Sequence, residues 1–237
     1  MTTTSRPARL PDDLLELNTG DRMSREEFHR AYEKTPEGFK AELIGGIVYV
    51  ASPLKHHHSR EHVSLAGLLF AYESATPGVE AGDNATVLLG EESEPQPDLH
   101  LRILPECGGQ SRITQDDYIS GPPELVIEIA LSSRSIDLHA KRDDYARYGV
   151  REYVVVCVRE RQLRWFDLSN GRELAIGPDG MLRMQNYPGL WIDTRALFSN
   201  ESARLMQTLQ QGLSSAEHAD FVAHLAAARS KALPHPK

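Results

Sequence analysis

The feature that most constrains this chain is an apolar run with one acid in its middle. Glu124-Leu125-Val126-Ile127-Glu128-Ile129-Ala130-Leu131 carries aliphatic side chains on both alternating sets of positions, the mark of a strand covered on both faces of its sheet. Such a strand needs a packed layer above and below it. It also needs a reason for Glu128, because an ionised carboxylate in an apolar layer is costly unless paired or bound to a cation. Val126 and Ala130, which share its face by alternation, can do neither. Two readings stand: a core acid paired with a distant arginine, or a functional acid.

The segment after this strand has helical spacing from about Ser135 to Tyr148, and a second apolar strand follows from Tyr153 to Val158. A strand, helix, strand unit builds a sheet with helices packed on it. At about 100° per residue, Lys141 lies about 60° from Leu138 and about 20° from Tyr148, inside the apolar arc. The lysine is therefore expected to point inward, near the end of the strand that carries Glu128. The bland account is an i,i+4 pair with Asp137, or a snorkelling stem.

Asp98 sits in Pro95-Gln96-Pro97-Asp98-Leu99-His100-Leu101. Alternation in a strand from Gln96 to Ile103 puts Gln96, Asp98 and His100 on one face and Leu99, Leu101 and Ile103 on the other. The polar face either lines a cleft or is a solvated sheet edge, where Pro97 would be at home. Glu42, in Lys40-Ala41-Glu42-Leu43, has no signal of its own and gains weight only beside the others.

Ser24 with Glu27 three residues on reads as a capping box opening a helix through Tyr32. Gly45-Gly46 and Ile47 to Val50 predict a hairpin ended by Pro53, and a helix is expected from about Ser59 to Ser74, with Val63, Leu65, Ala66, Leu69, Phe70 and Tyr72 buried. Strands are expected near Thr86 to Leu89 and from Arg161 to Leu168, with hairpins at Asn170-Gly171 and Asp179-Gly180. Ser214-Ser215-Ala216-Glu217 opens a last helix bearing Phe221, Val222 and Leu225. The expected organisation is a flexible lead-in (1–22), one domain (23–198) and a helical tail (199–237), which suits a length of 237 residues.

Several function classes recede. No apolar stretch approaches the roughly 18 to 20 residues that cross a bilayer, and the polar segment from Met1 to Asp13 has no apolar export signal, so a cytoplasmic protein is expected. Cys107 and Cys157 have no zinc spacing and are read as structural. His56-His57-His58 precedes the expected helix with its rings diverging, and is read as a solvated loop. Ser132 and Ser133 lack the nucleophile-elbow pattern, and no glycine-rich phosphate loop is present. Trp165 and Trp191 are read as packing residues.

Taken together, Glu42-Leu43-Ile44-Gly45-Gly46, Gln96-Pro97-Asp98-Leu99, Pro123 to Ile129, and Asp137-Leu138 through Lys141 to Tyr145-Ala146-Arg147-Tyr148-Gly149-Val150-Arg151-Glu152-Tyr153 resemble the Uma-two family of restriction endonucleases, within the PD-(D/E)XK nuclease superfamily. The resemblance covers about Met23 to Leu197. It implies an α/β fold, a restriction-endonuclease-like mixed central sheet flanked by helices, here with added antiparallel hairpins and a C-terminal helical appendage. It further implies a catalytic set of Glu42, Asp98, Glu128 and Lys141. Where the superfamily's short motif has lysine two residues after the second acid, this chain has Ala130, and the family's lysine in the next helix corresponds to Lys141. Where the family usually has Ser-Pro-Ser after the strand, this chain has Leu131-Ser132-Ser133.

On that resemblance, Asp98, Glu128 and the backbone carbonyl of Ile129 would hold Mg²⁺ or Mn²⁺, with Glu42 on a second ion or a water. Lys141 would orient the nucleophile or offset charge on the phosphate. The expected reaction is phosphodiester hydrolysis, with DNA as partner. Against tight binding stands the balance of 26 basic and 34 acidic residues, a net charge of −8, so contact would be transient and locally basic around Arg134, Arg142 and Arg147. The rival readings are an inactive interaction module whose C-terminal helices bind a partner or a second copy, making a homodimer, and a phosphodiesterase of small nucleotides.

Overall fold

The computed structural model describes residues 16–51 and 56–232. Much of the lead-in, and Pro53, lie outside them. Helix α1 (Arg25–Tyr32) opens on the expected box: Ser24 accepts from the Glu27 N–H, and the Glu27 carboxylate accepts from the Ser24 N–H. Strands β1 (Ala41–Ile44) and β2 (Ile47–Val50) form the expected hairpin across Gly45-Gly46, both at positive φ.

Helix α2 (His56–Ala75) begins three residues earlier than expected, so His56 to His58 belong to its first turn. Its phase also differs from expectation. Leu65, Leu68, Leu69 and Tyr72 are buried, whereas Val63 and Phe70 are 56% and 68% exposed. The spacing 65, 68, 69, 72 follows a single helical stripe, and positions 63 and 70 fall outside its arc.

The main sheet follows, built around β3 (Val79–Asp83), β5 (Leu99–Ile103), β8 (Leu125–Ala130), β9 (Glu152–Cys157), β10 (Gln162–Asp167) and β11 (Arg172–Leu174), in the order β11-β10-β9-β8-β5-β3. Only β8 and β9 run parallel; every other pairing is antiparallel, so the sheet is mixed. A smaller sheet takes β4 (Val87–Leu88), β6 (Arg112–Ile113) and β7 (Ile119–Ser120), and the expected strand at Thr86 to Leu89 shrinks to β4 within it. The expected strand from Gln96 begins only at Leu99, because 95–97 run beside β1 instead, with the Gln96 N–H on Glu42 and the Val87 N–H on Pro95. β5 is no solvated edge: it lies between β3 and β8 and is buried throughout.

Alternation along β8 separates the two faces. Leu125, Ile127 and Ile129 join the core under α2, while Val126 and Ala130 join a second core with Leu138, Tyr145, Tyr153 and Val155. Glu128 belongs to the second face. The connection from β8 to β9 is not a regular α-helix: α3 (Arg134–Ile136) passes into a π-helical turn over Asp137–Lys141, then into α4 (Arg142–Tyr148), which ends at Gly149 with φ 93°. A π-turn widens the ladder and re-aims the side chains after it.

The hairpin at Asn170-Gly171 joins β10 to β11. Asp179-Gly180 makes a tight turn, but β12 (Met181–Arg183) pairs with β13 (Trp191–Asp193) and not with the strand before it, so no hairpin forms at that turn. Helices α5 (Thr194–Phe198), α6 (Ser202–Leu213) and α7 (Ala216–Ala232) complete the described residues, and Leu205, Leu209 and Leu225 enter the core beneath α2. It is Ser215, not Ser214, that caps α7, accepting from the His218 N–H. No helix among the described residues is long and apolar enough to cross a membrane.

Candidate active site

Four elements bring Glu42, Asp98, Glu128 and Lys141 together at the carboxyl ends of β8 and β9. The Lys141 ammonium lies 2.8 Å from Glu42 Oε2, 3.0 Å from Glu128 Oε1 and 3.9 Å from Asp137 Oδ1. Asp98 reaches the same place from the residue before β5, where its Oδ2 accepts the Ile129 N–H at 2.7 Å. All five side chains line one cavity of about 290 Å³.

Each placement has a local cause. β1 runs beside 93–96, with Leu43 and Glu94 exchanging both backbone hydrogen bonds, and this carries Glu42 to the Gln96 N–H at 2.7 Å. One Glu42 oxygen is thus held by backbone and the other by Lys141. Glu128 Oε1 also accepts the Tyr145 hydroxyl at 2.8 Å. β5 pairs with β8 only as far as Leu99 opposite Ile127, so the edge of β8 beyond that point is open to Asp98. The Ala130 carbonyl turns to β9, accepting the Val158 N–H. Successive residues of a strand direct their backbone groups to opposite edges, so the Ile129 carbonyl lies on the Asp98 edge with the Ile129 N–H.

The electrostatics follow from burial. Glu128 is held well above the carboxylate range by desolvation, against the pull of Lys141 and with Asp98 and Asp137 adding repulsion. Asp137 is raised to about 6, again chiefly by desolvation, against Lys141 and the Ser133 hydroxyl, which donates to it at 2.6 Å. Lys141 itself is raised well above its usual value, because Glu128, Glu42 and Asp137 outweigh its desolvation. The neighbouring carboxylates therefore bias the amine towards its charged form.

Asp137 and Tyr145 were not singled out from the sequence as site residues. A signal existed, since Asp137, Lys141 and Tyr145 are spaced i, i+4, i+8 and so share a helix face. The three arginines expected to make a basic neighbourhood are each paired with an acid: Arg134 with Glu160, Arg142 with Asp143 and Arg147 with Glu92. Trp165 is buried, its Nε1–H donating to Glu152 at 2.6 Å, and Trp191 lies under Arg183.

Among the described residues, no group of three or more His, Cys, Asp or Glu side chains stands ready to hold a metal ion. The donor chemistry nonetheless fits Mg²⁺ or Mn²⁺. Mg²⁺ keeps several waters and binds through one or two carboxylates plus substrate oxygens, and Asp98, Glu128 and the Ile129 carbonyl offer two hard acids and one carbonyl near the carboxyl end of β8.

A mixed sheet between helices, with acids and a lysine gathered near the carboxyl ends of its two parallel central strands, defines an α/β protein of restriction-endonuclease-like architecture. The chain belongs to the Uma2 family, described as putative restriction endonuclease, which matches residues 25–195. Among solved structures, a putative nuclease from Anabaena variabilis ATCC 29413 is similar in fold, with a TM-score of 0.57 and 15% sequence identity over 71% of this chain and 96% of the other. No curated protein matches.

Proposed function

We propose that the chain is a divalent-metal-dependent nuclease that hydrolyses phosphodiester bonds, with Glu42, Asp98, Glu128 and Lys141 as its catalytic set. The observation that carries this reading is the buried lysine shared by Glu42 and Glu128 beside Asp98, at the floor of a cavity. A structural ion pair needs one acid, and an apolar replacement often serves stability as well. Three acids around one amine, within a cavity, are better explained by a charged ligand. Membership of a family of putative restriction endonucleases supports the same reading.

Asp98, Glu128 and the Ile129 carbonyl would hold the ion, which when bound supplies Lewis-acid polarisation of the phosphate. Lys141, biased towards its charged form by Glu128, Glu42 and Asp137, offsets negative charge that builds on the phosphate oxygens. Asp137, at about 6, is the group whose proton can move near neutral pH. The Glu42 carboxylate, fixed by Gln96 and Lys141, orients whatever water lies above the floor.

The pairing of Arg134, Arg142 and Arg147 with acids favours a second reading, a non-catalytic module of nuclease fold. Thermal unfolding with increasing Mn²⁺ separates the two. The nuclease reading expects stabilisation of roughly 2.7 kcal/mol at a hundredfold excess over the dissociation constant, lost in Asp98→Asn. A melting curve indifferent to Mg²⁺ and Mn²⁺ favours the module.

A further inference from the structure

The charged groups of the site form a floor. Side-chain exposure falls from 20% at Glu42 to 7% at Lys141, 4% at Glu128 and 2% at Asp137. Two further residues lining the same cavity, Tyr49 and Arg159, have no share in the ion-pair network and no other side-chain partner among the described residues.

Tyr49 of β2 is the cross-strand partner of Glu42, and cross-strand partners stand on one face of a hairpin. Its ring is half-buried and lines the cavity. Tyr72, Tyr145, Tyr153 and Tyr187 each spend their hydroxyl on a carbonyl or carboxylate. Tyr49 makes no such bond and no ring contact among the described residues.

Arg159 lies just past the end of β9, exposed, and also lines the cavity. Because Ala130 and Cys157 are paired in parallel register, Arg159 emerges at the same sheet end as Ser132 and Ser133. Ligands of open sheets bind outside these carboxyl ends. Unlike Arg134, Arg142 and Arg147, Arg159 has no ion pair among the described residues. A planar guanidinium without a partner at a cavity mouth suits a phosphate.

We propose that this cavity takes one nucleotide of an unpaired strand, its base stacked on Tyr49 and its phosphate held by Arg159, so that the chain prefers single-stranded nucleic acid to duplex. The inference rests on the nuclease reading and narrows its substrate. Stacked, paired bases present their faces to each other and leave none for a side chain, whereas an unpaired base can lie on an aromatic ring. Duplex binding draws instead on many phosphate contacts. A chain with net charge −8, its arginines near the site mostly paired, offers few.

The test uses the full chain carrying Glu128→Gln, with Mg²⁺, and a labelled short single-stranded DNA beside its duplex, read by fluorescence anisotropy at several salt concentrations. The expected result is tighter binding of the single strand. Tyr49→Ala should weaken it roughly 5- to 150-fold, the range for one lost base stack, while Tyr49→Phe should keep it. Arg159→Ala should lower the slope of log affinity against log salt by about 0.7, the value of one single-strand phosphate contact. Equal or tighter duplex binding, no binding of either, or an indifferent Tyr49→Ala overturns the proposal. Comparing the rates at which the unmodified chain cuts the two DNAs keeps the two readings apart. Duplex cut in preference sinks this inference alone, whereas a single strand bound through Tyr49 and left uncut sinks the nuclease reading alone.

Discussion

Lys141 is the residue on which the site's stability turns. Removing it strands Glu128 and Asp137, each nearly fully buried, without their cation. Lys141→Met should therefore cost about 3 to 5 kcal/mol in denaturant unfolding, and adding Glu128→Gln should recover part of that loss. A single variant as stable as the parent would show that the acids are already neutral in the folded chain. His100 makes a second prediction. Desolvation first, then the Arg102 charge, lowers it to about 4. A histidine with a depressed folded value contributes stability that is present above about 6.5 and is lost as the pH falls towards 4. Asp137, raised to about 6, acts in the opposite direction, since its charged form is the costly one and falling pH relieves it. The two partly cancel, so the reading is a difference: His100→Gln should flatten the acid limb between about pH 6.5 and 4 relative to the parent. An unchanged limb would place the acid sensitivity elsewhere. At this scale Glu128 and Lys141 were legible in the sequence, because each interrupts an apolar pattern that would otherwise be uniform. Asp98 was legible only beside them, and Asp137 was hidden as a mere i,i+4 neighbour of the lysine.

The elements show where periodicity carries information and where it does not. β8 and β9 are apolar on both faces, and the strand, helix, strand unit they form could be read directly; the structure pairs them in parallel. α2 was placed, but its phase was not, because Val63 and Phe70 are apolar residues on its exposed side. β5 read as half polar because His100 and Arg102 are buried there with the apolar residues, the ring of His100 lying over Gly82, where a Cβ would meet it at 2.2 Å. The π-turn at Asp137–Lys141 left no periodic signature, since the wheel assumes a regular ladder. The C-terminal helices were visible by composition, yet their depth of packing was not. Leu209 of α6 is fully buried in the core under α2. Leu209→Ala should accordingly cost about 2 to 5 kcal/mol in urea unfolding. A cost below about 1 kcal/mol would mean that α6 contributes little to the main core.

At the scale of the molecule, the fold places the carboxyl ends of its two parallel strands, one hairpin and one irregular helix around a single charged floor. A net charge of −8 disfavours a non-specific grip on a polyanion, so on the proposed function selectivity would come from the cavity. On the proposed function, a site dominated by acids would need an added cation before a phosphate could approach. The most direct measurement is the rate at which the purified chain hydrolyses nucleic acid in Mg²⁺ or Mn²⁺, beside Asp98→Asn and with a chelator. The expected result is cleavage that stops with the chelator and falls by roughly a hundredfold or more in the variant, whose volume and backbone contact are nearly unchanged. Cleavage that proceeds equally in Asp98→Asn, or that survives removal of every divalent ion, would contradict it.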